Sequence, residues 1–462
     1  MNKFQKVKGV KDLYDQDMHD FLAIESVVRN ICELYNFTEI RIPEFEHTEV
    51  FAREGDSSDV VNKEMYTFKD QGDRSLTLRP EWTAGIIRSV VENKLYAKPD
   101  LPLKYFYLGT NFRSENPQKG RYRIFNQFGV ESIGVSSPYV DAEVMALGYT
   151  FIARLGLEQF KIEVNTIGDR ESRMAYNQAL VAYFEPVIGE LCVDCKRRFE
   201  QNQLRILDCK VDHNHPSIVN APLNHEYLND KSKEYYGQLK QILDSLSIPY
   251  EENPRMVRGL DYYSHTVFEY ISTHKDMGSQ ATILGGGHYG YLVEQFGGPE
   301  MAGVGFGLGI ERLILALKAE EIDLGKPTTI DAYLMVLDED ARTYAMQLSI
   351  FLKAYGIITE MNFTKRSMRG QFKTVDRLEA EIVLIIGSTE LENGEVTIKN
   401  IINQKQTTVK AEKMVETIME MLDENIEAKK AKNPCQCTDS EGKNCECSDD
   451  NDHDCQCDDH RH

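Results

Sequence analysis

Two apolar-alternating runs, KYFYLGTNF and YRIFNQFGVESIG, lie between Lys104 and Gly134 and flank the polar stretch RSENPQKGR. Period-two alternation on both sides of an Asn-, Pro- and Gly-containing loop predicts two strands paired antiparallel. A sheet built on such a pair must cover one face with other elements, which excludes a purely helical chain. The same alternation sorts side chains between faces. Positions 127, 129 and 131 share one face, so Gln127 and Glu131 project together, beside a loop carrying Arg113, Glu115, Lys119, Arg121 and Arg123. An amide and a carboxylate next to a block of cations suit a zwitterionic ligand beside a phosphate. A charged, solvated hairpin reads the loop equally well.

The rest of the chain supplies covering elements. Residues 18–35 place Phe21, Leu22, Ile24, Val27, Val28, Ile31 and Cys32 at helical spacing, followed by the short alternating FTEIRIPEF. The stretch from Asp169 to Tyr250 is polar, helical in period and contains a cysteine cluster, which predicts an inserted subdomain. Strand signals return at Thr266–Ile271 and Ala281–Leu284, and GVGFGLGIERLILALK turns from Gly-rich extended chain into an apolar-faced helix near Gly309. Beyond the linker AEEIDLGKPTT, strand and helix patterns alternate, then a hairpin and a last helix run through Leu422, which describes a second α/β domain. The expected division is 1–170 and 251–325 as two parts of a core, 171–250 as the insertion, 328–424 as the second domain, and 425–462 as a disordered tail. A length of 462 residues accommodates two to four such domains.

Charge and cysteine are unevenly spread. The net charge is −21, and residues 434–462 carry nine acids against two bases, so this segment alone accounts for −7. A polyanion such as RNA then requires local Lys/Arg patches, because the mean field repels it. No run of 18 apolar residues occurs and MNKFQKVKGVKDLYDQD lacks the apolar core of a secretory signal, so a cytoplasmic location is expected.

Three further patterns bear on chemistry. GVGFGLGIER joins glycines that permit close backbone approach to Arg312 in the first turn of a helix, where free amides and the dipole favour anions. It fits neither a P-loop nor a dinucleotide fingerprint, and tight helix–sheet packing explains it as well. Cys192-Val-Asp-Cys195, then Cys209 with His213 and His215 nearby, offer three thiolates and an imidazole at spacings that permit one tetrahedral zinc site. Unliganded reduced cysteines fit the same spacing. In the tail, three pairs repeat every ten residues: Cys435 and Cys437, Cys445 and Cys447, Cys455 and Cys457. They stand among His453, His460, His462 and nine carboxylates, without any Leu, Ile, Val, Phe or Met. That composition resembles a flexible segment of metallothionein character that binds Zn²⁺ or another soft metal.

LTLRPEWTAG, FRSENPQKGRYRIFNQFGVE, VRGLDYYSHTVFEY and GVGFGLGIERL stand in the order and at roughly the separations found in class II histidyl-tRNA synthetases. The chain resembles that family from Lys8 to about Glu424. The resemblance implies an α+β fold: an antiparallel catalytic sheet flanked by helices, an inserted helical subdomain and a C-terminal α/β anticodon-binding domain. It also implies a homodimer, with the helix before Pro43 as its interface element, that uses ATP with Mg²⁺ to attach histidine to histidine tRNA through a histidyl-adenylate.

The roles follow by motif match. Arg113 and Arg258 match arginines at the α-phosphate, Arg258 also bordering the histidine, and Arg312 matches one at the γ-phosphate. Glu115 and Arg121 match residues around the adenine. Glu81, Thr83 and Gln127 match those on the histidine ammonium, and Glu131 and Tyr263, with Tyr262 beside them, those on the ring. The chain departs from the family at two places: GGGHYGYL replaces GGGRYDGL, and Trp82 in RPEWT stands where a small residue is common. The chief rival is a histidine-sensing paralogue such as the regulatory subunit of ATP phosphoribosyltransferase. Retention of an anticodon-like domain and both arginines argues against it. A metal-storage protein explains only the tail.

Overall fold

The structure, a computed structural model, describes residues 4–53, 60–257, 262–327, 329–364 and 366–432. It divides into two compact units, residues 1–325 and 326–462.

The first unit is built on eight strands: β1 (Thr38–Glu39), then, past a small sheet of β2 (Phe45–His47), β3 (Tyr66–Lys69) and β4 (Ser75–Leu78), the strands β5 (Leu103–Phe112), β6 (Ile124–Ile133), β7 (Phe160–Thr166), β8 (Glu251–Glu252), β9 (Tyr263–Ser272), β10 (Thr282–Tyr289) and β11 (Gly303–Gly309). Their order is β1-β5-β6-β11-β10-β9-β7-β8, antiparallel except for the short edge pairs β1/β5 and β7/β8. The pair β5/β6 is the hairpin expected from the alternation, with Leu103 opposite Ile133 and Phe112 opposite Ile124.

One face of this sheet packs against helices. Helix Asp15–Leu34 buries Phe21, Ile24, Val28 and Ile31 at i, i+3, i+7 and i+10. It stops where Asn36 takes a left-handed φ of 58° and the Phe37 amide bonds back to the Cys32 carbonyl at 2.7 Å. Helix Pro138–Arg154 starts from a Ser137 cap with proline in its first turn. These helices, with Asp230–Ser245 and Ile310–Ala319, enclose one core with Phe128, Phe151, Phe268, Tyr270 and Phe306. The opposite face carries helix Thr83–Glu92 and a cavity.

The expected bounds of the insertion need correction. Helix Asp230–Ser245 falls within the range read as an inserted subdomain, yet Tyr236, Leu239 and Leu243 belong to the central core. Its exposed Lys, Asp and Gln positions masked the single apolar stripe. The insertion's own apolar cluster, including Tyr176, Leu180, Phe184, Leu204 and Ile206, spans 176–221.

In the second unit β12 (Ala332–Val336), β13 (Thr359–Met361), β14 (Ile382–Ile386), β15 (Glu395–Asn400) and β16 (Gln406–Lys410) form a sheet of order β13-β12-β14-β15-β16. The first three are parallel and the last two antiparallel additions. Helices Arg342–Ala354 and Met414–Lys432 bury one face through Leu348, Leu352, Met414 and Ile418, and helix Met368–Arg377 covers the other through Val375. The last helix continues to Lys432, past the point where a disordered tail was expected. Lateral polar contacts hold the extension in place of apolar burial. Buried Asn425 receives a hydrogen bond from Asn400 at 2.8 Å and donates one to Glu381 at 2.9 Å, and Lys429 pairs with Glu381. The metal ligands expected in the tail, Cys435, Cys437, Cys445, Cys447, Cys455 and Cys457, all fall in residues 433–462 and lie outside the described residues.

Candidate active site

The cavity on the open face of the large sheet measures about 260 Å³. Glu81, Thr83, Arg113, Glu115, Arg121, Gln127, Glu131, Tyr262, Tyr263 and Arg312 all line it, although they span more than two hundred positions of chain. Arg258 lies outside the described residues.

The floor is glycine, and strand register explains why. Gly305 faces Glu131 and Gly309 faces Gln127 across the β11/β6 ladder, while Gly307 and Gly305 face Gly285 and Gly287 of β10. A Cβ on Gly305 would sit 2.2 Å from the Glu131 carboxylate, and one on Gly307 would sit 2.2 Å from the Gln127 amide. The glycines of GVGFGLG therefore make room for two long side chains that lie across the strand. Of the phosphate reading of that motif, Arg312 and the helix start remain.

One set of residues surrounds Glu131. Its carboxylate accepts from the Thr83 hydroxyl at 2.6 Å and from the Tyr289 hydroxyl at 2.7 Å. Burial disfavours the anion, and the Glu131 pKa is pushed up to about 8. Glu81 is likewise raised by burial, and it accepts from the Ala84 amide at 3.0 Å, capping helix Thr83–Glu92. Gln127 is oriented by Asn111, whose amide donates to its Oε1 at 2.6 Å and leaves the Gln127 NH₂ for another partner. Tyr262, Tyr263 and Tyr289 pack ring to ring, with centroids 5.1 and 5.8 Å apart.

The other set surrounds the arginines. Arg113 donates to the Pro80 carbonyl at 2.9 Å and lies over the Phe125 ring at 5.2 Å. Burial lowers its pKa from the usual arginine value, against the opposing pull of Glu64 and Glu81. Arg121 pairs with Glu115, and with Glu64 at 3.1 Å. Arg312 donates to the carbonyls of Gly120 and Thr282 at 3.3 and 3.1 Å, so it reaches both the loop after β5 and the start of β10. Its neighbour Glu311 accepts from the Asn126 backbone amide at 2.9 Å, which fixes β6 against this helix.

Sequence reasoning missed Tyr107, Tyr289 and Glu311. Alternation marks the first two: Tyr289 shares a face with Gly287, and Tyr107 opposes Gly129, where any Cβ would meet the tyrosine ring at 2.2 Å. Two of the departing residues, His288 and Trp82, have defined places. Buried His288 sits 3.0 Å from Asp141, in a network with Tyr235. Its strand position, alternating with cavity-lining Gly287 and Tyr289, turns it to the helix-covered face. Trp82 stacks on Tyr107 at 4.7 Å beneath the Arg79 guanidinium at 3.9 Å, so it becomes part of the cavity wall.

The insertion cysteines converge as well, with one change. The ligand atoms of Cys192, Cys195, Cys209 and Asp212 lie within 4.8 Å of one another. His213 is not among them: its Nδ1 lies 3.0 Å from the Lys210 carbonyl and its Nε2 meets Asn214. The turn that follows Cys209 brings the residue before His213 inward and leaves the imidazole exposed. His215 caps the short helix that follows it.

The antiparallel sheet with its β5/β6 hairpin, glycine floor and three cavity-lining arginines has the architecture of a class II aminoacyl-tRNA ligase. A family model described as histidyl-tRNA synthetase matches residues 9–168 and 202–313, and one described as anticodon binding domain matches 331–421. The chain belongs to the histidyl-tRNA synthetase family. A histidine–tRNA ligase of Bacillus cytotoxicus is 46% identical over 416 residues, covering 90% of this chain and 98% of that protein. The relative named histidine–tRNA ligase 1 in Shouchella clausii is 46% identical over 419 residues, with the same coverages. The crystal structure of the apo S. aureus histidyl-tRNA synthetase superimposes with a TM-score of 0.77 at 41% identity, covering 90% of this chain and 99% of that one. A Bacillus halodurans structure titled as an ATP phosphoribosyltransferase regulatory subunit/histidyl-tRNA synthetase has a TM-score of 0.59 at 20% identity, covering 84% of this chain and 99% of that one, and shows the fold alone.

Proposed function

We infer that the cavity joins histidine to ATP and then passes the histidyl group to histidine tRNA, with the residues around Glu131 and those around the arginines as the two halves of the site. The convergence of ten motif-matched side chains on one cavity carries this reading. In the first step a carboxylate oxygen of histidine attacks the α-phosphorus of ATP, the bond to the bridging oxygen breaks, and pyrophosphate leaves. In the second, the terminal ribose hydroxyl of the tRNA attacks the carbonyl carbon and AMP departs. Neither step needs a protein nucleophile. Positioning and charge stabilisation carry the rate.

Arg113 is proposed at the α-phosphate, joined by Arg258, and Arg312 at the γ-phosphate. Glu115 and Arg121 border the adenine. Glu81, Thr83 and Gln127 take the histidine ammonium, and Glu131 with Tyr262 and Tyr263 takes the ring. ATP enters as its magnesium complex. When bound, the magnesium would supply positive charge to the phosphates beside Glu64, Glu115 and Glu311, which the structure holds through Arg121 and Asn126. Histidine-dependent exchange of labelled pyrophosphate into ATP tests this reading.

A homodimer in the cytoplasm fits the family resemblance. Exposed Phe45 and Phe68 stack edge to face at 6.3 Å on the small sheet, apolar surface that a second copy would cover. The tail, with its pairs Cys435 and Cys437, Cys445 and Cys447, and Cys455 and Cys457, is proposed as a soft-metal-binding segment on composition alone.

The second unit is proposed to contact the tRNA anticodon stem. On and beside helix Met368–Arg377, Arg366, Arg369 and Lys373 are exposed, and Lys365 lies outside the described residues. Replacing Arg369 and Lys373 together by Ala is expected to weaken tRNA binding and to flatten the plot of log affinity against log salt by about two counterions. Filter binding across a salt series reads this. An unchanged slope would remove this face from the tRNA interface.

A further inference from the structure

The insertion packs around a small apolar cluster, and two of its fully enclosed members, Cys195 and Cys209, are thiols. A core of this size is weak unless something cross-links it. Cys192 sits at the N-cap of helix Val193–Gln201 and Cys195 lies in its first turn. The loop after residue 206 folds back so that the Cys209 sulfur lies 3.6 Å from that of Cys192, and a carboxylate oxygen of Asp212 lies 3.7 Å from the Cys209 sulfur.

These separations discriminate between chemistries. A disulfide needs sulfurs about 2.05 Å apart. A tetrahedral zinc with Zn–S bonds of about 2.3 Å places its sulfurs about 3.8 Å apart. The backbone is arranged as ligand support: the Asp212 amide donates to the Cys209 sulfur at 3.3 Å, and the Cys192 amide donates to the Asp212 carboxylate at 2.8 Å. Such outer hydrogen bonds orient ligands and hold charge on them.

We propose that Cys192, Cys195, Cys209 and Asp212 form a closed structural zinc site that staples helix Val193–Gln201 to the loop after residue 206. Three sulfurs select a soft or borderline divalent ion, and the carboxylate completes four-coordination. Thiolate is the ligating form of cysteine, so metal uptake must displace the thiol protons and binding weakens in acid. Asp194, between the two cysteines of the turn, also lies 3.4 Å from Lys63. Lys63 precedes the Glu64 that pairs with Arg121, so the stapled turn abuts a support of the arginine-lined half of the cavity.

The tail thiols would confuse any metal count, so the test uses the full-length chain with its six tail cysteines changed to serine. After reconstitution with Zn²⁺ under reducing conditions and dialysis, native mass spectrometry is expected to find one zinc per chain. Cys209→Ser and Asp212→Asn in that background should release zinc to a chelator at least tenfold faster, and His213→Ala should not. Cobalt(II) loaded into the parent chain, which needs no folding of a core variant, should give thiolate charge-transfer absorption and tetrahedral d–d intensity. The proposal is overturned by a folded parent chain that keeps no zinc, by equal retention in Cys209→Ser, by a loss in His213→Ala matching that in Asp212→Asn, or by a cobalt spectrum without thiolate bands.

Discussion

Replacing Arg113 by Ala is expected to slow histidyl-adenylate formation by about 10²–10³-fold, with a much smaller change in histidine affinity. Arg113 is held before substrate arrives. The Pro80 carbonyl takes one of its N–H groups and Phe125 supports its plane, so a guanidinium proposed at the α-phosphate would not have to reorganise as charge develops there. Its side chain is partly buried, where a fixed cation acts more strongly than in open water. The loss should appear in kcat, because charge on the transferring phosphoryl grows in the transition state rather than on binding. Single-turnover adenylate formation measures it. A variant with wild-type turnover and only a raised KM for ATP would move Arg113 from the reacting phosphate to ground-state binding.

Glu131→Gln is expected to raise the KM for histidine by roughly 10- to 150-fold, the range for losing a hydrogen bond to a charged acceptor in a buried site, and to change its pH dependence. With Glu131 raised to about 8 by burial, the empty pocket holds a protonated carboxyl at neutral pH. Unfolding would free that group to ionise in the ordinary carboxylate range. Between about pH 4.5 and 8 the folded state therefore binds more protons, and this group's contribution to stability falls as pH rises through that window and is flat above it. A histidine ring N–H donated to the carboxylate favours its ionised form, so ligand binding at pH 7 expels a proton. Histidine affinity of the parent should then climb from about pH 7 to 8 and level off, while the Gln variant is flat over that interval. Calorimetry in buffers of different ionisation enthalpy reads the released proton. Identical profiles for parent and variant would remove Glu131 from the ring contact.

The legible part of the fold was the part governed by local periodicity. The β5/β6 hairpin, the helix ending at Leu34 and the strand–helix alternation of the second unit each announce themselves in ten to twenty residues. Helix Asp230–Ser245 did not. Its polar exposed surface assigned it to the insertion, and only tertiary packing shows that Leu239 and Leu243 complete the main core. The last helix outran its apolar stripe because Asn425 and Lys429 anchor it through Asn400 and Glu381, partners no local window contains.

The site was legible where motifs carry it and obscure where register does. Alternation paired Gln127 with Glu131. The reason Gly305 and Gly307 must be glycine lies in the neighbouring strand, and so does Tyr289, which reaches Glu131 from a strand more than 150 positions away. The same limit applies to the cysteines. Spacing proposed His213, whereas chain direction after Cys209 presents Asp212.

The most direct measurement is ATP–pyrophosphate exchange by the purified full-length chain with each amino acid in turn. Rapid exchange with histidine and background exchange with every other amino acid are expected, the histidine-dependent rate falling by about 10²–10³-fold in the Arg113→Ala variant. A folded protein that binds histidine yet catalyses no exchange would contradict it and point to a histidine-sensing paralogue instead.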